Sequence, residues 1–238
     1  MKTKKIIKVI VGVIIFFTLP SLIFFGFIYF KYNEDLPLGD EGPQADALAQ
    51  KMLNALNHDA YLQTNYIEWT FKNRHHYKWQ KDENTCLVHW KDYKVDLDLN
   101  NPSTSNVFIH NFEVQGEQAE EHIQTAIDYF NNDSFWLVAP YKIFDPGTER
   151  RLVKWKDNQD ALLVTYTSGG STPGDSYLWV LDSNYKPVKF RMWVDILPIG
   201  GLEASWNDWT TTESAAILPT FHEMLFLGIK MNDVIGTE

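Results

Sequence analysis

The chain has 238 residues, 45% of them hydrophobic and 15% aromatic, with nine tryptophans and a formal net charge of −10. That is enough for one full-sized domain plus an appendage, and the single cysteine, Cys86, excludes an internal disulfide and any multi-cysteine metal site. Residues 1–31 hold five lysines and no acid, leaving sixteen basic against thirty-one acidic side chains beyond them, a balance that argues against nucleic acid and against electrostatic adsorption to anionic headgroups.

The first predicted element is a membrane span. Met1–Lys8 carries four lysines, and the following stretch, Val9 to Phe30, is uncharged and rich in Ile, Val, Leu and Phe. Twenty-two helical residues rise about 33 Å, the depth of a bilayer core. No small-x-small cleavage site follows Gly26, and no cysteine follows the run, so the segment reads as a signal anchor; a cleaved signal peptide is the alternative, because Pro20 and Ser21 interrupt the run. The lysine bias places the N-terminus in the cytoplasm. The expectation is a single-pass inner-membrane protein: residues 1–32 form tip and anchor, 33–44 a linker, and 45–238 a periplasmic or otherwise extracytoplasmic domain. Pro37, Gly39, Gly42 and Pro43 make the linker an extended, turn-rich spacer.

The domain opens on a helix over Ala45–Asn57, whose apolar stripe is Ala45, Leu48, Ala49, Met52, Leu53 and Leu56. Short strands follow at Tyr66–Phe71, Arg74–Gln80, Thr85–Trp90 and Tyr93–Leu99, with another at Asn106–His110. A second helix spans Glu117–Asn131, with acids in its first turns as the helix dipole favours. Asn132–Pro140 reads as a helical turn and buried loop. A meander then takes Arg150–Trp155, Ala161–Ser168, Tyr177–Asp182 and Val188–Ile196, with a fifth strand at Leu202–Trp209. Period-2 alternation puts Tyr177, Trp179 and Leu181 on one face, and Phe190 and Met192 opposite Arg191 and Trp193 in the next strand. Residues 221–235 read equally as a strand or an interfacial helix.

Catalytic patterns are sparse. His75 and His76 are adjacent on a strand and point to opposite faces, and no helix carries metal-ligand spacing. The Ser168–Asp175 loop lacks a P-loop ending and leads into a strand, so it reads as a hairpin connection. Asp175 with Asp195, or Asp133 with Asp145, are loose carboxylate pairs for a hydrolase. No metal and no cofactor is expected, and the reading is non-enzymatic.

Element order and three motifs carry a resemblance: Asn-Asp-Ser-Phe-Trp-Leu at Asn132–Leu137, Phe-Asp-Pro-Gly-Thr at Phe144–Thr148, and Thr-Pro-Gly-Asp-Ser-Tyr-Leu-Trp at Thr172–Trp179. From Ala45 to about His222 the chain resembles the periplasmic lipoprotein-carrier and receptor superfamily, and within it membrane-anchored relatives of unassigned function. The resemblance implies an α+β fold in which the N-terminal transmembrane helix precedes a curved antiparallel β-sheet, an unclosed barrel with covering helices lining its concave side. It implies a lipid- or lipoprotein-binding domain whose hollow shelters an acyl chain. The candidate ligand-binding residues are Phe135, Trp136, Trp179, Phe190, Arg191, Met192 and Trp193, with one face of the meander, bearing either Trp179 or Trp193, turned to the hollow. An envelope protein-interaction scaffold, its half-barrel filled by its own side chains, is the alternative; an Asp/His hydrolase is the third.

Overall fold

The computed structural model describes residues 2–168 and 172–238. A long helix, α1 (Lys2–Tyr32), leads into the two-residue strand β1 (Asp40–Glu41) and the helices α2 (Pro43–Ala55) and α3 (His58–Gln63). Six strands follow: β2 (Tyr66–Phe71), β3 (His75–Gln80), β4 (Thr85–Trp90), β5 (Tyr93–Asp98), β6 (Asn106–Ile109) and β7 (Phe112–Val114). Helix α4 (Glu117–Val138) then connects to β8 (Thr148–Lys154), β9 (Asp160–Tyr166), β10 (Ser176–Leu181) and β11 (Pro187–Trp193). The chain ends with β12 (Leu202–Ser205), β13 (Asn207–Thr211), β14 (Ile217–Met224) and β15 (Leu227–Thr237).

All strands pair antiparallel in one sheet, ordered β1-β8-β9-β10-β11-β12-β14-β15-β2-β3-β4-β5-β6-β7, with β13 also on β14. The terminal strands β1 and β7 do not pair with each other, so the barrel is unclosed. Both edges are only two or three residues long, which limits the unpaired backbone they present. The hairpins are tight for a local reason. At the β2–β3 turn both Lys72 and Asn73 take positive φ (49° and 54°), the backbone twist that two-residue hairpins need.

The concave face carries the main core, which includes Trp69, Tyr77, Trp79, Trp179, Phe190 and Trp206 together with Met52, Leu53 and Leu56 of α2 and its C-terminal cap and Phe130, Trp136 and Leu137 of α4. A second, convex cluster of Val153, Ala161, Leu163 and Leu178 packs beneath Trp155 and Trp193. Strand β10 is consequently buried on both sides, which explains why its sequence alternates large groups with groups almost as apolar.

Several expectations change. The helix predicted to end at Asn131 continues without a break to Val138, so Phe135, Trp136 and Leu137 project from one long helix rather than from a loop. Helix α2 starts at Pro43, proline serving the first helical turn. Residues 33–41 are extended but not a free spacer. The Glu34 amide donates to the Gly200 carbonyl (2.9 Å), and Asp40–Glu41 pair with Leu152 and Arg151. The predicted strand 202–209 is two strands that bend at the buried Trp206. The tail is a hairpin, β14–β15, and β15 closes onto β2, joining the two halves of the sheet. Helix α3 and strand β7 had no clear sequence signal. Within the Ser168–Asp175 connection, Gly169, Gly170 and Ser171 lie outside the described residues.

Register defines two rims. Phe71 opposes both His75 and Met231, Trp90 opposes Tyr93, Ile109 opposes Phe112, and Met192 opposes Leu202. Met224 opposes both Ala204 and Leu227. The turns after β2, β4, β6, β11 and β14 therefore share one rim, and it is there that α1 ends, since the Gly200 amide donates to Asn33 Oδ1 (2.9 Å).

Candidate functional site

The concave wall is aromatic, and α4 is its cover. Phe135 of α4 lies 4.6 Å (ring centroids) from Tyr177 and 5.9 Å from Phe190, and Trp136 lies 5.7 Å from Phe190. Trp179, Phe190 and Trp206 then form a continuous set at 5.2–5.6 Å. Earlier turns of the same helix cross the rim at β3–β5: Tyr129 stacks on His75 at 4.0 Å, and His122 sits 4.5 Å from Tyr93. Amphipathic spacing produces this arrangement, burying Ala119, Ala126, Phe130 and Trp136–Val138 while Glu117, Glu120 and Glu121 face solvent.

Two polar ties hold the cover. Asp133, 1% exposed, accepts a hydrogen bond from the Tyr77 hydroxyl (2.6 Å) and lies 2.7 Å from His75 Nδ1. His222 is fully buried, with Nε2 2.6 Å from the Trp136 carbonyl and Nδ1 2.9 Å from that of Ser205. Burial lowers the His222 pKa to about 4, with the two carbonyls pulling the other way. Burial also pushes the Tyr77 phenol upward, reinforced by Asp133, so it stays a neutral donor.

The centre of the interior is tightly filled. Trp69, Trp179, Phe190, Tyr77 and Leu137 are 0% exposed and Trp206 1%, so no water-sized space adjoins them. Two open depressions lie elsewhere. One, about 800 Å³, lies along β2–β6 beside Tyr66, Lys78, Leu87 and Asp96; the other, about 570 Å³, lies between α2 and β8–β10 beside Lys51, Leu152 and Tyr185. Within the core, the indole N–H groups of Trp69, Trp79, Trp179 and Trp206 and the Tyr166 hydroxyl have no hydrogen-bond partner among the described residues.

The predicted ligand residues divide between the two faces. Phe135, Trp136, Trp179, Phe190 and Met192 come together on the concave side. Arg191 and Trp193 project from the other side, where they hold the chain leaving α1. Arg191, 5% exposed, pairs with Glu34 and lies 5.2 Å over the Trp155 ring, and Trp193 Nε1 donates to the Glu34 carbonyl (2.8 Å). Trp179, not Trp193, therefore marks the face toward the helices. Tyr177 shares the Trp179 face, as the period-2 alternation predicts. The ties of Asp133 to His75 and of His222 to the Trp136 carbonyl have no local sequence signal, since they join residues 58 and 86 apart.

The loose carboxylate pairs serve structure. Asp175 is buried, accepting from the Thr172 hydroxyl (2.5 Å), the Tyr177 hydroxyl (3.3 Å) and the Asp195 amide (3.3 Å), and so ties its turn to β10 and to the β11–β12 loop. Asp145 pairs with Lys142 (3.0 Å) while Asp133 binds His75. Among the described residues no three His, Cys, Asp or Glu side chains gather to hold a metal.

No protein-family model matches the chain, and no curated protein does. Among solved structures, it is similar to a domain provisionally described as an outer membrane lipoprotein-sorting protein domain from Vibrio parahaemolyticus, at 10% identity and a TM-score of 0.38, covering 79% of this chain and 93% of that one.

Proposed function

We propose that this protein is a membrane-tethered, extracytoplasmic, non-catalytic domain that takes an acyl chain of a lipid or lipoprotein into its half-barrel by displacing the C-terminal half of α4. Helix α1 is the one helix among the described residues long and apolar enough to cross a bilayer, and the lysines before it favour a cytoplasmic N-terminus. The observation that carries the reading is the set of unpartnered donors in the concave wall. Buried N–H and O–H groups left without acceptors cost about 1–3 kcal/mol each, and Trp179, Trp206 and Tyr166 sit beside the residues that α4 covers. An acyl ester or amide brings carbonyl acceptors together with an apolar tail, which suits that lining.

One observation favours a second reading, the self-filled interaction scaffold: no water-sized space adjoins Trp179 or Phe190, as in protein interiors packed to final density. Uptake of a fluorescent fatty acid by the purified chain separates the two. Binding that changes in Trp136→Ala supports carriage. A folded wild-type chain that takes up neither probe nor lipid, with no acyl ligand co-purifying by native mass spectrometry, leaves the scaffold in its place.

A further inference from the structure

The rim at which α1 ends carries an apolar projection that nothing else in the fold uses. At the β14–β15 turn, Leu225, Phe226 and Leu227 follow one another with exposures of 38%, 76% and 46%. An interior-facing strand would hide at least alternate residues of such a run. Leu225 holds a positive φ of 56°, so the turn projects all three outward. On the same rim, in the β11–β12 loop, Ile196 is 72% exposed.

The position of α1 says what this projection meets. Its apolar run ends at Phe30 and the helix at Tyr32, and the next two residues are fastened to the β11–β12 loop through Asn33 with Gly200 and Glu34 with Gly200, Trp193 and Arg191. Three residues of helical rise from Phe30 to Asn33 amount to about 4.5 Å, so the rim has almost no slack from the hydrocarbon boundary. The turns of this rim carry slightly more base than acid. The β2–β3 turn beside the β14–β15 hairpin supplies Lys72 and Arg74 and the β4–β5 turn Lys91, against Asp92 and Asp195 on the same rim, whereas the β3–β4 turn on the opposite rim sets Asp82 and Glu83 against Lys81. A chain with a strongly acidic exterior thus places its exposed apolar turn on the side of its own anchor.

We infer that the β14–β15 turn, with Ile196 beside it, inserts into the interfacial layer of the bilayer that α1 spans, so that lipid is its partner and the domain is held in one orientation, rim down. This rests on the tethered reading proposed above. Interfacial binding scales with the apolar area buried at the headgroup boundary, Phe and Leu included, and the two contacts, span and turn, fix tilt where a single span would leave rotation free.

The test uses the full chain in phosphatidylcholine vesicles containing one-fifth phosphatidylglycerol. An environment-sensitive fluorophore is attached at Phe226→Cys, at Ile196→Cys as a second tip site, or at Glu83→Cys on the opposite rim; Cys86 is buried and stays unlabelled. The expected result is a blue shift and loss of emission with nitroxide-bearing lipid at positions 226 and 196, and quenching only by aqueous iodide at 83. Water-like emission at 226 and 196 in chains that float with the vesicles overturns the insertion and leaves the tether standing. Shielding from iodide without quenching by lipid assigns the tip to a second protein or a second copy, and also overturns it. Chains that do not float with the vesicles remove the tether and the insertion together.

Discussion

Histidine 222 offers a quantitative test of how the cover is held. Its ring is fully buried between the Trp136 and Ser205 carbonyls, and burial lowers its pKa from 6.5 to about 4. The unfolded chain therefore binds a proton at mildly acidic pH that the folded chain refuses. The stability this neutral ring contributes is full above pH 6.5 and is lost as the pH falls toward 4. Between pH 7.5 and 4.5 the loss comes to about 2–3 kcal/mol for this group alone. A His222→Gln chain keeps one donor for the carbonyls but does not titrate, so other groups cancel in the comparison. Near-UV circular dichroism melts in detergent micelles should show the wild type losing about 5–10 °C more than the variant over that interval. Equal slopes, or a wild type that gains on the variant at low pH, would refute the reasoning, the latter by showing that the two carbonyls outweigh burial and hold an imidazolium.

Other substitutions probe the same framework. Trp136→Ala should cost about 3–5 kcal/mol, as truncating a large core aromatic does, read as a lowered melting midpoint alongside the altered probe uptake. Asp133→Ala leaves the Tyr77 hydroxyl buried without its acceptor, so a loss of about 1–3 kcal/mol is expected and faster hydrogen exchange should be confined to α4. Gly174→Val meets nothing within 4 Å but inherits a φ of +107°, so it should destabilise through backbone strain alone by about 1–3 kcal/mol; Gly147→Val combines a φ of +81° with a collision against Ser168 and should melt lower still. A reporter fused after Glu238 should be active only outside the cytoplasm, and cytoplasmic activity would reverse the orientation of α1.

Strands with local signals were legible from sequence. Tyr66–Phe71 and Thr85–Trp90 coincide with their predicted bounds because each is flanked by a two- to four-residue turn and alternates cleanly. The break predicted after Asn131 failed for a physical reason. Asn132, Asp133 and Ser134 are weak helix formers, but Asp133 obtains its partners from β3 rather than from its own backbone, and tertiary packing of Trp136 and Leu137 carries the helix onward. The role of residues 33–41 was hidden because an acidic, proline-containing stretch looks like a spacer whether or not Arg191 and Trp193 wait for it on a distant strand. The aromatic wall was half legible: alternation grouped Trp179 with Tyr177 and Phe190 with Met192, but only the register of β10 against β11, Trp179 opposite Phe190, shows which face they share.

The energetics of the cover constrain what could replace it. Freeing Phe135, Trp136, Leu137 and Val138 exposes side chains that contribute about 1.5–3 kcal/mol apiece, of order 10 kcal/mol together. An acyl chain of about fourteen methylenes moved from water gains a comparable amount at about 0.8 kcal/mol per methylene, so exchange with a free acyl chain is nearly balanced. A chain taken from a bilayer is already in hydrocarbon and gains almost nothing. Displacement from a membrane donor then requires that the released side chains also find an apolar surrounding. Helix α4 crosses the rim beside His75, Trp90 and Tyr93, and that is the rim on which α1 ends. A cover opening there would enter the headgroup layer rather than bulk water, recovering part of what it lost from the core. On this account the carriage reading predicts uptake from vesicles by the anchored chain and little or none by a chain held away from the bilayer with a longer connection after Tyr32. Equal uptake by both would mean that the cover does not need the membrane to open.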